Sequence, residues 1–298
     1  MTLCLYFQVK TKIFSLLSPL ERQNLRPVCA DWKDLIDEEF GIKLVVNNST
    51  IEVLLQSGGF AVELELNSLT VPIDSIGVSF ARRLHTLRFH NIVVTYNLLP
   101  LLKNFADTLQ TLSFSHVIAD LPDQLQNYVT TVSSDQSQLL HLPRLRELEL
   151  NEWNMSDSVT ALIEFLNSAV QYESLANIAI LLQNPPMIPL QALFNGDIRG
   201  APSFIQLVHK NLKTMECFKY GKPNSSLILK FYPYGSISAD SPVQLKELIC
   251  MNQFKMDWIS LLPTQKKLVR FHIGDCRVGL WDAVRSKDSA FHKSDHDV

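Results

Sequence analysis

The sequence predicts an α/β chain in two parts. Three short helices over residues 1–40 are followed by tandem strand-and-helix units over 41–285, with a polar tail at 286–298. Two observations predict this: apolar residues in the first forty positions recur at helical spacing, and a Leu-x-x-Leu-x-Leu pattern then returns along the rest of the chain. A third is composition. Hydrophobic residues at 46% and charged residues at 19% are ordinary for a folded protein, and 298 residues can bury roughly three quarters of their unfolded surface without disulfides or a metal.

Val9, Ile13, Leu16 and Leu17 form one apolar stripe at spacings of three and four, predicting the first helix. Ser18-Pro19 stops it and supplies a good N-cap and first position for a second helix marked by Leu20 and Leu25. A third is expected from Pro27, with Val28, Cys29, Trp32, Leu35 and Ile36 on one side and fraying at the acidic run Asp37 to Glu39. Three such short helices cannot bury all these apolar residues among themselves, so some face a partner.

Beyond residue 40 the clearest copies of the repeat are Leu84-x-x-Leu87-x-Phe89, Leu109-x-x-Leu112-x-Phe114 and Leu145-x-x-Leu148-x-Leu150. Others start at Leu175, Leu212, Leu245 and Leu268, with weaker ones at Gly41 and Ala61. Start-to-start spacings are 20, 23, 25, 36, 30, 37, 33 and 23. Between them lie helical patterns: Leu98 to Phe105; Val159, Leu162, Ile163, Leu166 and Val170 behind a Ser156-Asp157 cap; Trp258 to Leu262; and Val278 to Val284. A short strand and a helix in every 20 to 37 residues is the pattern of a degenerate leucine-rich-repeat solenoid. The alternative is a plain α/β sheet domain.

Several function classes are disfavoured. A net charge of −3 lacks the basic surplus of a general nucleic-acid binder. Only ten glycines and no phosphate-cradling motif argue against a nucleotide enzyme. The five scattered cysteines have neither disulfide-framework nor zinc spacing, which with no signal-like start fits a reducing cytosol or nucleus. No apolar run approaches 18 residues, so no membrane partner is expected. The histidines are spread singly, and His272 and Cys276, four apart, have no further ligand nearby. No catalytic residue, metal ligand or cofactor is predicted. An enzyme whose site is dispersed along the sequence stays open.

The run from Ile13 to Leu35 resembles the F-box. The family pattern of Ile-Phe-x-x-Leu followed by Leu-x-x-Val-Cys-x-x-Trp is met by Ile13, Phe14, Leu17, Leu25, Val28, Cys29 and Trp32. Leu5 also fits, whereas Tyr6 stands where proline is usual and Gln8 where glutamate is usual. The likeness covers about residues 5 to 40; the alternative is a generic helical cap on a repeat domain. With the repeats behind it, the chain looks like the F-box/leucine-rich-repeat family. That resemblance implies a non-catalytic substrate receptor of a Skp–cullin–F-box ubiquitin ligase, binding its Skp-type adaptor through Leu5, Ile13, Leu17, Pro19, Leu20, Leu25, Val28 and Trp32. A repeat scaffold without a ubiquitin link stays open beside it.

Alternation along each repeat strand sends the three aliphatic positions inward and the residues between them to the concave face. Read that way, the face carries Glu63, Glu65, Glu147, Glu149, Glu216 and Glu247 against Arg88 and Arg270, and is expected to be acidic. It also carries Leu181, Phe218, Ile249 and Met251, an apolar cluster at positions that alternation places in solvent. These readings make Glu147, Glu149, Leu181, Glu216, Phe218, Glu247, Ile249 and Met251 the target-binding candidates, for a protein target with a basic segment. Covering of the apolar four by a loop such as 185–189 is the alternative.

Overall fold

Three helices open the chain: α1 (Thr2–Ser15), α2 (Pro19–Leu25) and α3 (Ala30–Leu35). The structure, a computed structural model, describes residues 2–17, 19–25, 27–36, 42–50, 61–69, 84–94, 98–119, 139–154, 156–186, 200–232, 244–250, 265 and 267–273. Pro19 takes the first position of α2, where a missing N–H costs nothing. The third helix starts later than the spacing predicts. Val28 donates its N–H to Leu25 O at 3.1 Å in a turn, and Cys29, extended at φ −161°, is the N-cap. Phe14, Leu35 and Ile36 are buried together, with Leu17, Leu25 and Trp32 packed on them. The Trp32 ring meets Phe14 edge to face, centroids 5.3 Å apart.

Strands and helices then follow in chain order: β1 (Ile42–Val46), β2 (Ala61–Asn67), β3 (Thr86–His90), β4 (Val93–Val94), α4 (Leu98–Asn104), β5 (Thr111–Ser115), β6 (Ile118–Ala119), β7 (Leu140–Leu142), β8 (Glu147–Asn154), α5 (Asp157–Ser168), β9 (Val170–Tyr172), β10 (Asn177–Asn184), α6 (Ser203–Lys210), β11 (Cys217–Lys222), β12 (Ser225–Phe231), β13 (Leu245–Cys250) and β14 (Arg270–Ile273). The predicted patterns at 258–262 and 278–284 lie outside the described residues. Ser156 caps α5 as expected, its Oγ accepting the Val159 N–H at 3.3 Å. The apolar run Phe204, Ile205, Leu207 and Val208 makes α6, which packs against α5.

Ten strands form one sheet in the order β1-β2-β3-β5-β8-β10-β11-β12-β13-β14, so each main strand is added beside the previous one. Neighbours pair in parallel except at β12, which is antiparallel to both β11 and β13. Two small parallel pairs, β4 with β6 and β7 with β9, lie apart from it. The fold is mixed α/β with a large, mostly parallel sheet.

The register shows why the sequence builds this sheet. Leu64, Leu87, Leu112, Leu148, Ile178 and Phe218 align across six strands, as do Leu66, Phe89, Phe114, Leu150, Ile180 and Tyr220. All twelve are buried in one continuous core, and Phe89 and Phe114 stack at 5.1 Å. Each such side chain contributes about 1.5–3 kcal/mol of hydrophobic stabilisation.

A backbone ladder fixes the frame. His85 N donates to Val62 O, Gln110 N to His85 O, Arg146 N to Gln110 O, Ala176 N to Arg146 O and Glu216 N to Ala176 O, all at 2.7–2.9 Å. These equivalent donors place the unit starts at Ala61, Leu84, Leu109, Leu145, Leu175 and Met215. The expected start at Leu212 is therefore corrected by three residues. An odd shift in a period-two element exchanges its two faces.

Candidate functional site

Among the described residues, four of the nine exposed large apolar side chains lie in the helical segment. On α1, Val9 and Ile13 lie at i and i+4 on one helical face, and Leu16 follows in the turn that closes the helix, its N–H donating to Ile13 O at 3.1 Å. With Val28 from the α2–α3 turn they are between 50% and 78% exposed. Phe14 of α1 and Leu17, just beyond its end, pack with Leu35 and Ile36 at the end of α3. The predicted adaptor residues thus divide. Ile13 and Val28 are free to meet a partner, whereas Leu17, Leu25 and Trp32 are half-buried against Phe14 and hold the helices together. Leu5 lies on α1, and Pro19 and Leu20 begin α2; their side chains are outside the described residues. Val9 and Leu16 join the exposed stripe that the spacing had already marked.

The second surface is the sheet face opposite the core. One row across it reads Lys43, Glu63, Thr86, Thr111, Glu147, Asn177, Cys217, Lys230, Glu247 and Arg270. The next reads Val45, Glu65, Arg88, Ser113, Glu149, Ala179, Lys219, Ile228, Ile249 and His272. Glu63, Glu65, Glu147, Glu149 and Glu247 are therefore matched by Lys43, Arg88, Lys219, Lys230 and Arg270. The expected acidic face is electrically balanced, because the shifted frame and the strand β12 bring lysines to it. Arg88 binds Glu63 at 3.0 Å, Lys43 lies 3.7 Å from Glu65, and Lys230 binds Glu247 at 2.9 Å. The hydrogen bond from Lys230 holds the Glu247 carboxyl below its ordinary range.

Three target-binding candidates are corrected. Phe218 is 0% exposed and points into the core, as the Met215 frame requires. Glu216 precedes β11 and lies at the leading edge of the sheet, where Arg146 is 3.9 Å away. Leu181 keeps its place on the open face beside Asn151 and Gly221 but is 7% exposed and outside the core cluster, so it is covered from that face.

Glu147, Glu149 and Ile249 remain on the open face. Thr111 donates its hydroxyl to Glu147 at 3.2 Å, and the Glu149 side chain has no hydrogen bond or ion pair among the described residues. Half-buried Ile249 pairs in register with Ile228, a residue the repeat pattern did not reveal. Met251 lies outside the described residues.

Among the described residues no group of three His, Cys, Asp or Glu is placed to hold a metal ion, and no helix is long and apolar enough to cross a membrane. Compared with protein-family models and with curated protein sequences, the chain has no match.

Proposed function

We propose that this chain is a non-catalytic substrate receptor of a Skp–cullin–F-box ubiquitin ligase. In that reading residues 1–40 are an F-box-like domain that docks the Skp-type adaptor, and the repeats of 41–285 are a degenerate leucine-rich-repeat solenoid that holds a protein target. The observation that carries it is the exposed stripe of Val9, Ile13 and Leu16, with Val28, on helices whose other side is already packed. Exposed apolar clusters of this kind mark interaction surfaces. The ligase partners supply the thioester chemistry; the receptor contributes proximity, holding a target lysine near the charged conjugating enzyme. The target surface is the open sheet face around Glu147, Glu149, Ile228 and Ile249, and the setting is the cytosol or nucleus.

The test is co-purification of the full chain with a Skp-type adaptor. Ile13→Asp with Leu16→Asp should abolish it while leaving the melting temperature within a few degrees of wild type, since exposed positions change stability little. Wild-type binding by that double variant removes the adaptor claim and leaves a repeat scaffold without a ubiquitin link. Glu147→Lys with Glu149→Lys should then weaken capture of a basic target, chiefly through association rate and salt dependence.

A further inference from the structure

We infer that the leading edge of the sheet carries a docking groove for an acidic peptide segment, a site that does not depend on the adaptor reading. A depression of about 740 Å³ runs along the turns that lead into β5, β8, β10 and β11. That volume lies in the roughly 300–1,000 Å³ range of ligand sites. Arg144, Arg146 and Lys213 line it, all with exposed side chains, in a chain whose net charge is −3.

The groove's own carboxylates are engaged. Glu173 binds His141 Nε2 at 2.9 Å, and Glu216 sits 3.9 Å from Arg146. Arg144 and Lys213 have no hydrogen bond or ion pair among the described residues. Gln110 and Ser174 add neutral polar side chains to the same depression. Cationic groups gathered without internal partners favour an anionic ligand, and a guanidinium fork matches a carboxylate in two parallel hydrogen bonds.

Shape and lining select a peptide. The four strands β5, β8, β10 and β11 are consecutive neighbours in the sheet. Three inter-strand steps of about 4.8 Å make roughly 14 Å, the reach of about four extended residues. Among the described residues no aromatic side chain lines the groove to stack a base, which disfavours a nucleotide or single-stranded nucleic acid.

The experiment is a fluorescence-anisotropy titration of the full chain, without adaptor, against labelled hexaglutamate, hexalysine and a hexathymidylate oligonucleotide at low and high salt. The proposal expects saturable, salt-sensitive binding of hexaglutamate and none of hexalysine. Arg144→Glu with Lys213→Glu should weaken hexaglutamate binding at least roughly 10-fold, about 1.4 kcal/mol. Circular dichroism checks the fold of that variant, and the milder pair Arg144→Gln with Lys213→Gln, expected to lose at least roughly 3-fold, replaces it if the reversal unfolds the chain. Absence of hexaglutamate binding, an affinity unchanged by the substitutions, or equal affinity for the oligonucleotide overturns the acidic-peptide site.

Discussion

The backbone N–H of Val117, the residue before β6, donates to a carboxylate oxygen of Glu152 on β8 at 2.6 Å. Glu152 is on the core side of β8 and only 6% exposed. Burial pushes its carboxyl up to about 7, against the opposing pull of the Val117 N–H. A folded-state value above the ordinary 4.5 means that the native state binds more protons between those two pH values. The stability this group contributes is full below pH 4.5 and is lost as pH rises through about 7, by roughly 3 kcal/mol. Glu152→Gln keeps an acceptor oxygen for Val117 and removes the titration. Thermal melts at pH 5 and pH 8 should show the variant gaining on wild type at the higher pH; an equal gap at both would mean that Glu152 does not titrate in that window.

Phe218 is a core residue, stacked in the apolar row with Ile178 and near the Tyr220 ring. Phe218→Ala should cost about 3–5 kcal/mol in urea denaturation. Phe218→Leu should cost under about 1.5 kcal/mol, because it keeps most of the apolar volume. A loss below about 1 kcal/mol for the alanine variant would place the side chain on the open face after all.

The same residue shows where the sequence was legible and where it was not. Leu212-x-x-Met215-x-Cys217 and Met215-x-x-Phe218-x-Tyr220 both satisfy the repeat pattern once thioether and aromatic side chains are admitted. What decides between them is the turn just beyond α6, in which the Asn211 carbonyl accepts the N–H groups of Thr214 and Met215 at 3.0 Å, as the Phe105 carbonyl accepts those of Thr108 and Leu109 before β5. No spacing rule carries that information. In the units starting at Ala61, Leu84, Leu109, Leu145, Leu175 and Leu245 the pattern alone gave the right face.

Strand β12 was missed for a different reason. Leu227, Leu229 and Phe231 alternate with Ile228 and Lys230, a readable period of two after the turn residues Pro223 and Asn224, but the run lacks the repeat's three-residue step. On α1 the stripe was visible while its division was not. Which of Ile13 and Leu17 faces outward depends on where Phe14 meets Trp32.

The Phe14 contact gives the helical segment its own small core, separate from the sheet's. Phe14→Ala should cost that segment about 3 kcal/mol or more, and Trp32→Ala about 2 kcal/mol, because the indole is only half-buried. Hydrogen exchange is the discriminating readout. Amides of residues 2–36 should exchange faster in Phe14→Ala while those of β3, β5 and β8 keep wild-type protection. Uniform acceleration across the sheet would show instead that the helices and the sheet unfold as one unit.

Ser68, Asn91 and His116 occupy the same position after three neighbouring strands, and all three are left-handed, at φ 51°, 51° and 54°. Each donates its N–H to the neighbouring strand: Ser68 to His90 O at 2.9 Å, Asn91 to Ser115 O at 2.8 Å, His116 to Asn151 O at 3.0 Å. The exit turn is therefore part of the sheet's hydrogen bonding, and a residue there must tolerate positive φ to make it. Serine and asparagine offset the cost locally: the Ser68 hydroxyl donates to Asn67 Oδ1 at 2.8 Å and accepts from Asn91 Nδ2 at 3.0 Å. Glycine adopts this conformation freely, whereas a β-branched side chain is a genuine outlier in it. Ser68→Gly should stay within about 0.5 kcal/mol of wild type, its relief of strain offset by lost surface hydrogen bonds and unfolded-state entropy. Ser68→Val should lose at least about 1–2 kcal/mol. Paired urea melts measure the difference, and a valine variant as stable as the glycine one would show that the chain leaves β2 by a turn without positive φ.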